Sequence, residues 1–177
     1  MLLIQNGRPR VLSLVPMTRE NVPLLVKTRQ KAWEATYRGI YPDEAIDEFD
    51  YLWHEKNERN RLKDPEYHCL LVMEGASCLG YVSYGNVPPV KEDGPSFRLH
   101  SLYLLPELQG AGLGRTLIRH VKFACRQQGK GRFFLDCHPD NKRALGFYQH
   151  MGGYVTHVSP RHENPMEDSC TIEIYLD

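Results

Sequence analysis

What this chain of 177 residues lacks narrows its chemistry before any motif is read. It has no excess of charge: Lys and Arg total 22, Asp and Glu total 22, and the isoelectric point is near 7.1. The strong basic field of a nucleic-acid binder is missing, so nucleic acid is not an expected partner. It has no long hydrophobic run. The opening MLLIQNGRPRVLSLV breaks its apolar stretch at Gln5, Asn6, Gly7, Arg8 and Pro9. That falls short of a signal h-region and of the roughly 20 apolar residues a membrane span requires, so a soluble chain with no membrane partner is expected. No C-x-x-C spacing links the five cysteines (Cys69, Cys78, Cys125, Cys137 and Cys170). They are odd in number and sit in apolar runs where free thiols pack well, which points to a reducing cytoplasm. The eight histidines form no H-E-x-x-H and no close Cys/His cluster, so no metal is expected. No repeat, low-complexity tract or linker interrupts the chain, and its length suits one domain over residues 1–177.

What is present reads as alternating strands and helices. RPRVLSLVPM predicts a short first strand, and RENVPLLVKTRQKAWEATY a helix capped by Thr18 or Asn21. After the GIYPD turn, Asp43 to Arg61 predicts one polar helix that ends at Asp64-Pro65. YHCLLVME and SCLGYVSYG predict a hairpin turning at Gly75, and NVPPVKEDGP an exposed loop. SFRLHSLYLL, then a helix over Leu113–Gln128, then GRFFLDCH predict strand, crossover helix, parallel strand. A last helix over Asn141–Met151 and the strands GGYVTHVSP and SCTIEIYLD complete an α/β fold with a mixed central sheet flanked by helices.

The stretch LQGAGLGRTLIRH places Gly110, Gly112 and Gly114 on alternate positions between a strand and a helix. Glycines there let backbone approach a ligand and aim free amides at it, and the helix N-terminus adds about half a positive charge. The result is an anion cradle. Neither G-x-x-x-x-G-K-[ST] nor G-x-G-x-x-G is satisfied, which disfavours a Walker loop and a dinucleotide fingerprint.

The spacing that is satisfied, Q-x-x-G-x-G at Gln109, Gly112 and Gly114, resembles the acetyl-coenzyme A pyrophosphate loop of the GNAT N-acetyltransferase superfamily. LDCHPDNKRALGFYQHMGGY resembles the later motif of that superfamily through Asn141, Ala144, Phe147, Tyr148, Gly152 and Tyr154, and AWEATYRGIYPDE is similar to its acceptor-side helices. The resemblance implies a GNAT fold and direct transfer of acetyl from acetyl-CoA to a primary amine of a small molecule or peptide. It also implies that Gln109, Gly110, Ala111, Gly112, Leu113, Gly114 and Arg115 hold the pyrophosphate. Leu102, Tyr103 and Leu104 would offer backbone to the pantetheine arm, and Asn141 would cap its helix or bond the cofactor. Tyr148 would protonate or position the departing sulfur, unless it is simply a core aromatic.

Where many members carry a base as Glu, this chain carries Arg98. Alternation places Arg98, His100, Leu102 and Leu104 on one face, which makes His100 the nearest replacement, or else an ordinary strand residue. Arg98 would suit an acceptor with a carboxylate or phosphate. Trp33, Tyr37 and Tyr41, spaced i, i+4, i+8, would wall the acceptor site or face the core. Two other readings stand beside the transferase: a non-catalytic CoA sensor, and a transferase of another acyl group. A homodimer is compatible with such a fold.

Overall fold

The computed structural model describes residues 1–5, 8–89, 94–159 and 162–176. Strand β1 (Leu2–Gln5) pairs antiparallel with β2 (Arg8–Val11), apart from the main sheet. β3 (Ser13–Pro16) follows at once. The single first strand expected over RPRVLSLVPM is therefore divided, at Leu12, whose side chain enters the core.

Helix α1 (Val22–Tyr37) starts at Asn21, and Val22, Leu25, Val26 and Ala32 turn inward at helical spacing. The Asn21 side chain does not cap the helix. It accepts from the Thr18 amide at 2.7 Å and donates to the Pro16 carbonyl at 3.0 Å. The one helix expected over Asp43–Arg61 is two, α2 (Asp43–Asp47) and α3 (Tyr51–Arg61). The break has a local cause: Phe49 is buried between them, and the Asp50 carboxylate caps α3 by accepting from the Trp53 amide at 2.9 Å.

β4 (Tyr67–Glu74) and β5 (Ser77–Asn86) form the expected hairpin, with Gly75 at φ +57° in its turn. Of the loop NVPPVKEDGP, residues 90–93 lie outside the described residues. β6 (Phe97–Leu104), α4 (Leu113–Gln127) and β7 (Arg132–Cys137) supply the parallel crossover, and α5 (Lys142–His150), β8 (Gly153–Val158) and β9 (Cys170–Tyr175) close the fold. The seven-stranded sheet runs β3-β4-β5-β6-β7-β9-β8, antiparallel except between β6 and β7.

Helices cover both faces. Leu113, Leu117, Ile118, Val121 and Cys125 of α4 pack with Val82, Leu99, Phe133 and Ile172 of the sheet. On the other face Val22, Leu25 and Val26 of α1 pack with Leu71 and Tyr81. A buried polar network lies beneath α1 and α3. Arg29 donates to the Glu58 carboxylate at 2.7 Å and to the Tyr81 hydroxyl at 3.0 Å, and the Tyr67 hydroxyl donates to Glu58 at 3.0 Å.

Two irregularities set β6 apart from the other strands. Ser101 pairs with Ser83 but Leu99 pairs with Tyr84, so His100 is the extra residue of a β-bulge. And β6 is in register with β7 only at Arg98 opposite Phe134. Beyond that point the strands part.

Candidate active site

Where β6 leaves β7 a cleft of about 330 Å3 opens. Leu102, Tyr103 and Leu104 form its floor, the loop Gln109–Arg115 one wall, and Asn141, Ala144, Phe147, Tyr148 and Met151 from the start and body of α5 the other. Because Leu102 and Leu104 pack into the core, what β6 presents toward its missing neighbour is backbone.

The three loop glycines differ in purpose. Gly110 and Gly112 sit at φ +79° and +78°, left-handed conformations that cost an ordinary residue about 1–2 kcal/mol. A Cβ on Gly112 would meet only open space. Gly114 serves packing instead: a Cβ there would lie 3.1 Å from the Phe147 ring, so its absence lets α5 approach α4. Gly112 caps α4 with no side-chain partner, and among the described residues no amide from Gly110 to Arg115 donates elsewhere in the chain. The cradle starts one residue later than the sequence implied, since the Gln109 amide bonds the Pro106 carbonyl at 3.1 Å. The Gln109 side chain ties the loop to the strand end, donating through Nε2 to the Leu104 carbonyl at 2.7 Å, and its Oε1 is buried without a partner.

Leu113 does not line the cleft; it is a core anchor of α4, and Ala111 also stands outside the lining. Sequence reasoning assigned no site role to seven residues that do line it: Thr36, Leu108, Arg143, Ala144, Phe147, His150 and Met151. Arg143 and His150 were within reach of a helical-face argument, since they lie one turn before and one turn after Phe147 on α5. Arg115 donates through Nη2 to His150 Nε2 at 2.9 Å, which sets two basic residues at one mouth of the cleft.

At its deep end, Tyr148 is 7% exposed and its hydroxyl makes no hydrogen bond among the described residues. Burial pushes its ionisation far above the ordinary phenol range, reinforced by the nearby Cys137 thiol and Tyr103 hydroxyl, so the group stays protonated. Asn141 caps α5, accepting from the Ala144 amide at 3.1 Å, while still lining the cleft.

Trp33, Tyr37 and Tyr41 do come together, though not as one helical stripe. α1 ends at Tyr37, and the turn through Gly39 folds Tyr41 back so that the two tyrosine rings stack at 4.2 Å. Trp33 packs edge-on against both, at 6.0 and 6.1 Å. Tyr37 is buried, its hydroxyl 2.8 Å from that of Tyr103, and its ionisation is pushed up by burial.

The face-sharing that singled out His100 does not hold. Val82 opposite Leu102 and Tyr84 opposite Leu99 mark the core face, so the bulge leaves Leu99 and Leu102, three residues apart, on the same side. His100 packs instead against the Tyr67 ring at 5.4 Å, outside the cleft lining, and burial first, then Arg98 and Arg61, lowers its pKa to about 4. Arg98 is also engaged: its guanidinium bonds Asp136 at 2.7 Å and lies over the Phe134 ring. Among the described residues no group of three or more His, Cys, Asp or Glu is placed to hold a metal ion, and no helix is long and apolar enough to cross a membrane.

The sequence profile of the Acetyltransferase (GNAT) family matches residues 28–153. Over 106 residues the chain is 27% identical to the N-alpha-acetyltransferase RimI of Mycobacterium tuberculosis, covering 58% of this chain and 62% of that protein. Over 96 residues it is 31% identical to the L-amino acid N-acyltransferase MnaT of Escherichia coli, covering 54% and 55% respectively. The matches thus span less than two thirds of either relative. Among solved structures, the PaiA N-acetyltransferase of Thermoplasma acidophilum in complex with coenzyme A superimposes with a TM-score of 0.74 at 18% identity, over 93% of this chain and 99% of that one.

Proposed function

The chain belongs to the Acetyltransferase (GNAT) family, and from that premise we propose that it binds acetyl-CoA in the cleft and transfers the acetyl group directly to a primary amine of a small molecule or peptide. The observation that carries this is the pairing of unpartnered amides over Gly110–Arg115 with the unpaired backbone of β6. One suits a pyrophosphate, the other the amide-bearing pantetheine arm, which adds as an extra strand would. Open space in front of Gly112 gives the pyrophosphate room. Arg115 contributes a guanidinium beside it, and Gln109 holds the loop against the end of β6.

Bound acetyl-CoA supplies a thioester, the activated acyl bond that an amine attacks. The chain supplies position and one proton. Tyr148 lines the cleft, stays protonated and makes no hydrogen bond among the described residues, which supports a role in donating toward the departing sulfur. A thiol of pKa ~8.5 leaves tolerably unaided, so this phenol assists by a modest factor of ~10–10³. Direct transfer needs no cysteine: no cysteine is among the residues lining the cleft, and burial pushes the nearby Cys137 thiol up to about 12.

A CoA-binding sensor without turnover is the second reading, favoured by Arg98 standing paired to Asp136 where a base is often found. Five free cysteines support a reducing, cytoplasmic setting. The experiment is thiol release from acetyl-CoA over polyamines, amino acids, aminoglycosides and N-terminal peptides. Release with at least one amine supports the transferase. Binding of acetyl-CoA with no release over the whole panel supports the sensor.

A further inference from the structure

Resting on the transferase reading, we infer that the acceptor is a weakly basic amine of the α-amine class, which enters the site already neutral and gives its proton to no base among the described residues. The attacking nitrogen must arrive in the small volume around Tyr148 Oη. Near it stand Tyr37 and Tyr41 from α1 and the turn after it, Tyr103 from β6, and Cys137 and His138 from the end of β7; of these Tyr103 lines the cleft itself. Burial raises the ionisation of Tyr37, Tyr41, Tyr103 and Cys137, so these four stay protonated and are already proton donors. Tyr37 and Tyr103 spend one hydrogen bond on each other, and Cys137 Sγ faces the His138 carbonyl at 3.6 Å.

The two histidines near this end of the sheet are not poised to accept. His138 is buried with both ring nitrogens occupied: Nδ1 accepts from the Asp140 amide at 3.1 Å, and Nε2 lies 2.9 Å from the Pro165 carbonyl, to which it donates. His100 lies three residues up β6 from Tyr103, roughly 10 Å along the strand, packed on Tyr67. Carboxylates around the sheet already have partners: Glu58 is bound to Arg29, Asp136 to Arg98, Asp140 to Lys142 and Asp168 to His162. Arg115, Arg143 and His150 also line the cleft, the first two as cations, and His150 Nε2 already accepts from Arg115 at 2.9 Å.

A neutral amine needs none of these as a base. The C–N bond forms and the C–S bond breaks. The amine brings one proton more than the amide keeps, and that proton ends on the sulfur, with Tyr148 Oη able to give one to sulfur and receive one from nitrogen. Amine plus thioester becomes amide plus thiol with the protein unchanged. An ammonium acceptor releases one proton more, into a wall of tyrosines and a thiol that burial holds protonated. The ammonium itself is also disfavoured there, since among the described residues no carboxylate lines the cleft to offset its desolvation. At pH 7 an ε-amine of pKa ~10.4 is neutral about once in ~10³ molecules, an α-amine of ~7.8 about once in seven.

The test uses the parent protein, acetyl-CoA and two lysine derivatives of one skeleton, one blocked at Nε and the other at Nα, with kcat/KM followed by thiol release from pH 6 to 10. The expected result at pH 7 is a preference of at least about tenfold for the free α-amine. For each acceptor kcat/KM rises with pH to an apparent pKa equal to that acceptor's own. Equal or better use of the ε-amine at pH 7 overturns the inference, and so does one apparent pKa shared by both acceptors, which would report a base on the protein. Release from neither derivative at any pH, while a polyamine or an aminoglycoside does release thiol, also overturns the inference; acetyl-CoA binding with no release over the whole amine panel removes the transferase reading itself and this inference with it.

Discussion

The Tyr37 hydroxyl lies 2.8 Å from the Tyr103 hydroxyl, a buried bond that fastens the end of α1 to the strand flooring the cleft. Tyr37→Phe keeps the ring and its 4.2 Å stack on Tyr41 but leaves the Tyr103 hydroxyl without its partner. The expected cost is about 1–3 kcal/mol of unfolding free energy, read by urea denaturation. A midpoint equal to the parent's would mean that the bond adds nothing to stability.

Tyr148 offers a sharper separation of packing from chemistry. Tyr148→Phe removes a hydroxyl that makes no hydrogen bond among the described residues, so the melting temperature is expected to stay within a few degrees. Single-turnover acetyl transfer should fall by ~10–10³-fold, equivalent to ~1.4–4 kcal/mol of transition-state stabilisation. Transfer within twofold of the parent would leave Tyr148 as a packing residue.

Beneath α1, Glu58 is 1% exposed and holds Arg29 at 2.7 Å. Glu58→Gln leaves that guanidinium buried without its counter-charge, at an expected cost of about 3–5 kcal/mol. Since Arg29 also bonds Tyr81, whose ring packs on Tyr103 at 5.5 Å, loss of stability is expected to come with weaker acetyl-CoA binding. A stable Glu58→Gln variant would show that the network is dispensable.

Two histidines contribute to the acid limb of stability. His54 is lowered to about 4 by burial first and then by Arg29, and His100 to about 4 by burial and then by Arg98. In the unfolded chain both take protons near the ordinary ~6.5. Between that value and about 4 the unfolded state binds more protons than the folded one, so stability is full above ~6.5 and falls as pH drops through this window. Melting temperatures from pH 7.5 down to 4.5 check the sign; a rise on acidification would contradict it.

Most of the architecture was legible because period and punctuation agree along the chain: glycines at the hairpin and loop, helical spacing in α4, and proline after the last residues of β6. What stayed hidden was local. A two-residue alternation has no way to register an inserted residue, so the bulge at His100 moved Leu102 and Leu104 away from the face assigned to them. Asp50 reads as one more polar residue of a long helix until Phe49 is seen to turn inward and free it to cap. The cofactor cradle was readable at Gln109, Gly112 and Gly114, but the different tasks of Gly112 and Gly114 emerge only from where a side chain on each would point. The engagement of Arg98 depends on Asp136, 38 residues away on the next strand, which spacing alone does not pair.

The central claim is that the unpartnered amides after Gln109 bind the pyrophosphate of acetyl-CoA, and calorimetric titration of the parent and of Gly112→Val tests it most directly. Saturable one-to-one binding is predicted for the parent. An affinity lowered by at least about tenfold is predicted for a Gly112→Val protein whose circular dichroism matches the parent's, because the new side chain fills the open space in front of the helix N-terminus. No binding by the parent, or equal affinity in the folded variant, would contradict it.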